Sequence, residues 1–174
     1  MNIVLIGYRC SGKTEVGKIL ACKLEKDFVD TDSLIETRAG CTIETMVSKT
    51  GWDHFRMIEK EMIQGASRKG NLIIATGGGA AMDKENMKNL KRNGWIVWLK
   101  GNPDILKERM ENAQRAGNIR PSLSGSDVLD EIRHMLHLRT PLYEQAASHV
   151  VDTSALNMEE VAASIMEALP KGWQ

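Results

Sequence analysis

The eight residues GYRCSGKT, positions 7–14, follow the apolar run NIVLI of Asn2–Ile6 and open an amphipathic stretch, and they fit the pattern G-x-x-x-x-G-K-[ST]. In a strand–loop–helix setting such a loop turns successive backbone N–H groups inward, and the helix after it adds the positive end of its dipole. The stretch therefore reads as a cradle for a polyphosphate. Cys10, Ser11 and Gly12 form its floor, Lys13 is placed to reach the β- and γ-phosphates of a nucleoside triphosphate, and the Thr14 hydroxyl is placed to bind Mg²⁺. The loop is silent on the acceptor, because GTPases, motor ATPases and binding proteins all use it.

Beyond the loop, short apolar runs alternate with amphipathic stretches, which predicts an α/β chain: a central parallel sheet between two layers of helices, α/β/α. Five runs qualify as strands, Asn2–Ile6, Asp27–Asp30, 72–76, 95–99 and His149–Asp152. Helical spacing is clear in Lys13–Leu24, where Val16, Ile19, Leu20 and Leu24 share a stripe, and in 159–169, where Val161, Ile165 and Leu169 fall four apart. Two segments interrupt the alternation. Residues 33 to about 68 hold enough polar helical sequence for two or three helices, an insertion beside the sheet edge suited to a second substrate. Residues 112–127, NAQRAGNIRPSLSGSD, are rich in Gly, Ser, Asn and Pro around Arg115 and Arg120, a composition suited to a mobile lid. A chain of 174 residues accommodates all of this as one domain, 1–174.

Composition narrows the class. With 23 basic against 23 acidic residues, no bulk field draws the chain to nucleic acid or an anionic membrane. Cys10, Cys22 and Cys41 lack zinc-type spacing, and nothing at the N-terminus resembles a cleavable leader. The longest apolar run, LIIATGGGAAM, is broken by three glycines and falls short of the roughly 20 residues of a membrane span. A reduced, cytoplasmic protein with small-molecule partners is expected.

Three further stretches bear on the acceptor. FVDTD ends the second strand with Asp30 and Asp32 two apart, so both side chains share a face for as long as the strand geometry lasts. One carboxylate can support the metal and the other can take the proton of an acceptor hydroxyl. GWDHFRMIEKE places Arg56 and Glu59 three apart on a helix, where an arginine held by a carboxylate offers a fork to an acidic substrate. ATGGGAAM puts Gly77, Gly78 and Gly79 after a buried strand, which implies close approach to the backbone or positive φ. Arg139, on residue type alone, is a cation near a helix end.

Taken in order, GYRCSGKT, FVDTD, GWDHFR..E, TGGG, IRPSL and LRTPLYEQAA make the chain resemble the shikimate kinase family over nearly its full length. The resemblance implies a P-loop kinase fold with a helical substrate-binding insertion and a mobile lid, and transfer of the γ-phosphate of ATP to shikimate, a step toward chorismate and the aromatic amino acids; separately from the resemblance, a monomer is expected. It implies that Asp30 supports Mg²⁺ with Thr14, and that Asp32 contacts the shikimate hydroxyls and acts as base. Arg56 and Arg139 would hold the shikimate carboxylate, and Gly77, Gly78 and Gly79 would line the pocket. Arg120 would close over the nucleotide and act with Lys13 on the transferring phosphoryl. Like the family, the chain has no Walker B aspartate, since LIIAT runs directly into Gly77.

Two positions depart from the family pattern. Cys10 stands where glycine is common, so a β-carbon is strained there if φ is positive. Glu15 stands where serine or threonine is common and is expected to face away from the phosphates. Two other readings stay open: a kinase for another small polyol acid such as gluconate, and a catalytically silent nucleotide-binding partner protein. Paired Arg56 and Arg139 with Asp32 favour a rigid carboxylated ring, and the presence of Asp32 and Arg120 weighs against a silent protein. The residues that contact adenine are not fixed, with DTSA (152–155) and Arg115 as candidates by position.

Overall fold

The computed structural model describes residues 1–115 and 128–173. Five strands, β1 (Asn2–Ile6), β2 (Asp27–Asp30), β3 (Leu72–Ala75), β4 (Gly94–Lys100) and β5 (His149–Asp152), form one sheet in the order β2-β3-β1-β4-β5. All neighbouring strands run parallel. The inner strands β1, β3 and β4 are apolar on both faces because both faces are covered. Val4, Ile6, Leu72, Ile74, Ile96 and Trp98 point into one core, and Ile3, Leu5, Ile73, Val97 and Leu99 into the other.

Helix α1 (Lys13–Leu24) and helix α7 (Met158–Glu167) cover the second face through Val16, Leu20, Val161 and Ile165. Leu169 packs on the same core from just beyond the end of α7, two residues past the last helical turn. On the other face lie α3 (Ile43–Arg68), α4 (Lys84–Arg92) and α6 (Val128–Ala146), through Ile63, Met87, Leu90, Tyr143 and Ala146. Helix α5 (Pro103–Arg115) packs against α6 around Leu106, Met110, Ile132 and Tyr8.

The polar insertion resolves into α2 (Thr31–Ala39) and α3, and α3 is broken at Gly51 (φ 81°, ψ 171°), which makes three helical pieces, the last of them also packed on the sheet face through Ile63 and Ala66. Their own small core gathers Ile35, Met46 and Phe55. Strand β3 ends at Ala75, one residue before the predicted limit, as Thr76 turns its hydroxyl to Leu5 O. Arg120 and most of the predicted lid lie outside the described residues. No helix among the described residues is long and apolar enough to cross a membrane.

Connections from β1 run through β2 and β3 on one side, and β4 and β5 lie on the other. The crevice at the carboxyl end of β1, where the chain reverses direction across the sheet, is where ligands bind in open parallel sheets. Residues 7–14 leave β1 at that point.

Candidate active site

The loop at 7–14 closes on itself around Lys13. Its Nζ, on a residue only 8% exposed, donates to Gly7 O (2.9 Å) and Tyr8 O (2.7 Å) and lies 3.4 Å from Ser11 Oγ. These bonds hold the ammonium inside the curve of the loop. Gly12, at φ 92°, turns the chain into the first residue of α1, so that the helix N-terminus faces the loop. Glu15 is exposed and bonds Lys18, turned away from the cradle as its charge requires.

Cys10 does adopt positive φ, at 60°. Its side chain is not idle, since it packs against the Tyr8, Leu106, Met110 and Ile132 cluster. Replacement by glycine relieves about 1–2 kcal/mol of left-handed strain, but costs about 0.5–1 kcal/mol of backbone entropy and some of that packing. The terms nearly cancel. Cys10→Gly is expected to shift Tm by no more than about 3 °C; a larger rise in a thermal melt would mean that strain dominates.

The two aspartates sit differently from the strand expectation. Strand β2 stops at Asp30, which becomes the N-cap of α2: its Oδ1 accepts from the N–H of Asp32 (3.0 Å) and of Ser33 (3.3 Å). Asp32 is therefore in the first turn of a helix rather than on a strand face. A capping aspartate satisfies otherwise orphaned N–H groups, and that gain overrides a fifth strand residue. The second oxygen of Asp30 accepts from the Thr14 hydroxyl at 2.7 Å, which ties β2 to the donor loop.

Gly77, Gly78 and Gly79 have no positive φ, so conformational freedom is not their purpose. Close approach is. A β-carbon on Gly77 would lie 2.6 Å from Asp32 Oδ1 and 3.2 Å from Glu59 Oε1, and one on Gly79 would lie 2.5 Å from a terminal guanidinium nitrogen of Arg56. On the third side, Gly78 O accepts from Arg139 (3.1 Å) and from the Tyr143 hydroxyl (2.6 Å). Arg139 lies inside α6 with Pro141 just beyond it, so it is not the helix-end cation that residue type alone suggests. Burial pushes the Tyr143 phenol up to about 12, so it stays a donor to Gly78 O.

Arg56 and Glu59 are paired at 2.6 Å, and the pair is not a solvated one, for Glu59 is 1% exposed against 37% for the arginine. Burial raises the Glu59 carboxyl above its ordinary range, and the Arg56 charge holds it partly back. The guanidinium also lies 5.0 Å from the centre of the Phe55 ring and 5.7 Å from that of Trp52. Aromatic faces and a carboxylate together fix its direction.

The structure thus gathers Asp32, Arg56 and Arg139 about the glycine turn, with Lys13, Thr14 and Asp30 at the adjoining loop. Arg115 is exposed at the end of α5. One turn and a half earlier, Arg109 reaches the DTSA stretch instead, donating to Thr153 O at 2.7 Å and Thr153 Oγ1 at 3.1 Å. Arg109, Tyr143 and the Arg9–Glu131 ion pair carry no local sequence signal, since each partner lies tens of residues away in the chain.

Fold and site together define a P-loop small-molecule kinase. The family model for shikimate kinase matches residues 9–170, and the chain belongs to that family. It is 41% identical to a shikimate kinase of Symbiobacterium thermophilum over 97% of this chain and 96% of the relative. It is 43% identical to one of Thermodesulfovibrio yellowstonii over 95% and 93%. Among solved structures, a shikimate kinase from Acinetobacter baumannii in complex with shikimate superposes with TM-score 0.87 at 32% identity, over 95% of this chain and 90% of that one. A gluconokinase from Sinorhizobium meliloti gives TM-score 0.61 at 19% identity, covering 95% and 89%, a likeness of fold alone.

Proposed function

We propose that this protein transfers the γ-phosphate of ATP to the 3-hydroxyl of shikimate, giving shikimate 3-phosphate and ADP, with Asp32 as base and Arg56 and Arg139 as the carboxylate clamp. The observation that carries this reading is the convergence of those three side chains on one glycine turn beside the donor loop. The cations suit a carboxylate, and the aspartate suits a hydroxyl on the same ring.

In the transfer, the acceptor oxygen forms a bond to the γ-phosphorus as the bond from that phosphorus to the β–γ bridging oxygen breaks. The hydroxyl proton passes to the Asp32 carboxylate, and ADP leaves with the bonding electrons. Phosphoryl transfer has a loose transition state, so the protein's task is mostly alignment and charge neutralisation. Lys13, the loop N–H groups of residues 10–14 and the N-terminus of α1 neutralise charge on the phosphates. Arg120 adds to this from the segment 112–127, read as a lid.

Thr14 and Asp30 fit Mg²⁺, because they set a hydroxyl and a carboxylate oxygen side by side at the end of the loop. Among the described residues no group of three His, Cys, Asp or Glu could form an all-protein cage. That suits an ion that keeps its waters and is shared with nucleotide phosphates. When bound, Mg²⁺ offsets negative charge on the β- and γ-phosphate oxygens. The chain works as one unit, with the donor loop at 7–14 and the acceptor insertion at about 33–68.

Release of ADP, coupled to a spectroscopic readout, tests the reading with shikimate and gluconate as parallel acceptors. Turnover should depend on shikimate. Turnover with gluconate alone would transfer the assignment to a different acceptor, and tight ATP binding without either turnover would leave a silent nucleotide-binding protein.

A further inference from the structure

The Arg9 guanidinium and the Glu131 carboxylate form an ion pair between the donor loop and the first turn of α6, with side chains 12% and 2% exposed. A buried pair of this kind is a poor device for stability, because desolvating both charges offsets much of their attraction. Its geometry is more informative. Arg9 lies where the donor loop touches the acceptor turn: a β-carbon on Gly78 would lie 3.2 Å from Arg9 N and 3.6 Å from both Gly7 O and the Tyr8 carbonyl carbon.

Helix α6 grips both sides of this contact. Glu131 holds Arg9 of the donor loop, and further along the same helix Arg139 and Tyr143 hold Gly78 O of the acceptor turn. The Tyr8 ring fills the space between, with the Arg9 and Arg139 guanidinium carbons 5.7 Å and 5.6 Å from its centre. One helix is thereby fastened to donor and acceptor elements that sit on different strands.

We propose that Glu131 is a positioning residue for phosphoryl transfer, acting through Arg9 to set the spacing between the phosphate loop and the Gly77–Gly79 acceptor turn. This rests on the kinase reading of the site. Neither residue is required to touch substrate. Their effect is on the distance from the acceptor oxygen to the γ-phosphorus, where a misplacement of about 1 Å can cost about 100-fold in rate.

The test uses Glu131→Gln, which keeps the shape and removes the charge, Arg9→Lys, which keeps the charge and removes the fork, and the double variant. Each single variant should lose about tenfold or more in kcat, while equilibrium Kd values for ATP and for shikimate stay within about threefold of wild type. The double variant should be no worse than the worse single one, because the pair acts as a unit. If Glu131→Gln fails to fold, Arg9→Lys decides by the same criteria. A kcat within twofold of wild type, losses that multiply in the double variant, or a loss that appears in the Kd for ATP would each overturn the inference. Wild-type protein without shikimate-dependent turnover would overturn the functional reading as well, and is distinguished before any variant is compared.

Discussion

Asp32→Asn is expected to lower kcat by about 10²–10⁴-fold while leaving the Kd for ATP within about threefold. Asparagine matches the shape of aspartate, and the space it enters is kept open by Gly77, whose missing β-carbon would otherwise lie 2.6 Å from Asp32 Oδ1. The loss is therefore chemical rather than steric. The N-cap of α2 is also untouched, because Asp30 supplies it and only the backbone N–H of Asp32 is engaged there. A second variant separates charge from placement: Asp32→Glu restores the carboxylate but moves it by one methylene, and should recover only part of the rate, since about 1 Å of misplacement can cost about 100-fold. Steady-state kinetics at saturating ATP and shikimate provide the measurement. An Asp32→Asn enzyme with kcat within twofold of wild type removes Asp32 as base.

That variant also shows which part of the site could be read from the chain. The donor loop was legible because its chemistry is local: eight consecutive residues between a strand and a helix determine where the N–H groups point. The sheet was legible for a related reason, since strands buried on both faces leave unbroken apolar runs such as NIVLI and LIIA. The pair Asp30 and Asp32 was legible as a constellation but for a different structural reason. A strand would have put both side chains on one face; in fact the chain turns into α2 at Asp30, whose carboxylate caps the helix and accepts from Thr14, while the Asp32 carboxylate lies against Gly77.

The acceptor pocket was less legible, because its character depends on burial. In sequence, Arg56 and Glu59 are an ordinary i,i+3 pair, and their distinction is that Glu59 is 1% exposed, which is decided by the packing of the insertion against the glycine turn. The three glycines announced close approach without saying what approaches. The answer is side chains from α2 and α3 at Gly77 and Gly79, and the backbone of the donor loop at Gly78, all far away in the chain. No window along the chain contains that information.

Arg56→Ala is the second large effect, and it acts on two quantities at once. Loss of a charge-assisted bond to the substrate carboxylate is worth about 1.5–3 kcal/mol, so the KM for shikimate should rise about 10- to 100-fold while the Kd for ATP barely changes. Loss of the partner also strands Glu59. Its carboxyl already titrates above the ordinary range because of burial, and the Arg56 charge is what restrains it. Without Arg56 the folded-state pKa rises further, so the fold favours the protonated acid more strongly than the unfolded chain does. A carboxyl of this kind costs nothing below its unfolded pKa and destabilises progressively as pH rises through the folded value. The Tm deficit of Arg56→Ala should therefore be larger at pH 8 than at pH 5. Stranding one member of a fully buried pair costs about 3–5 kcal/mol; with Arg56 37% exposed, solvent screening reduces that to roughly 2–3 kcal/mol. Adding Glu59→Gln to the variant should recover much of this stability at pH 8 and none of the shikimate KM. A deficit equal at both pH values would show that Glu59 is not the group left unpaired, and a shikimate KM that stays at the wild-type value would remove Arg56 from the carboxylate clamp.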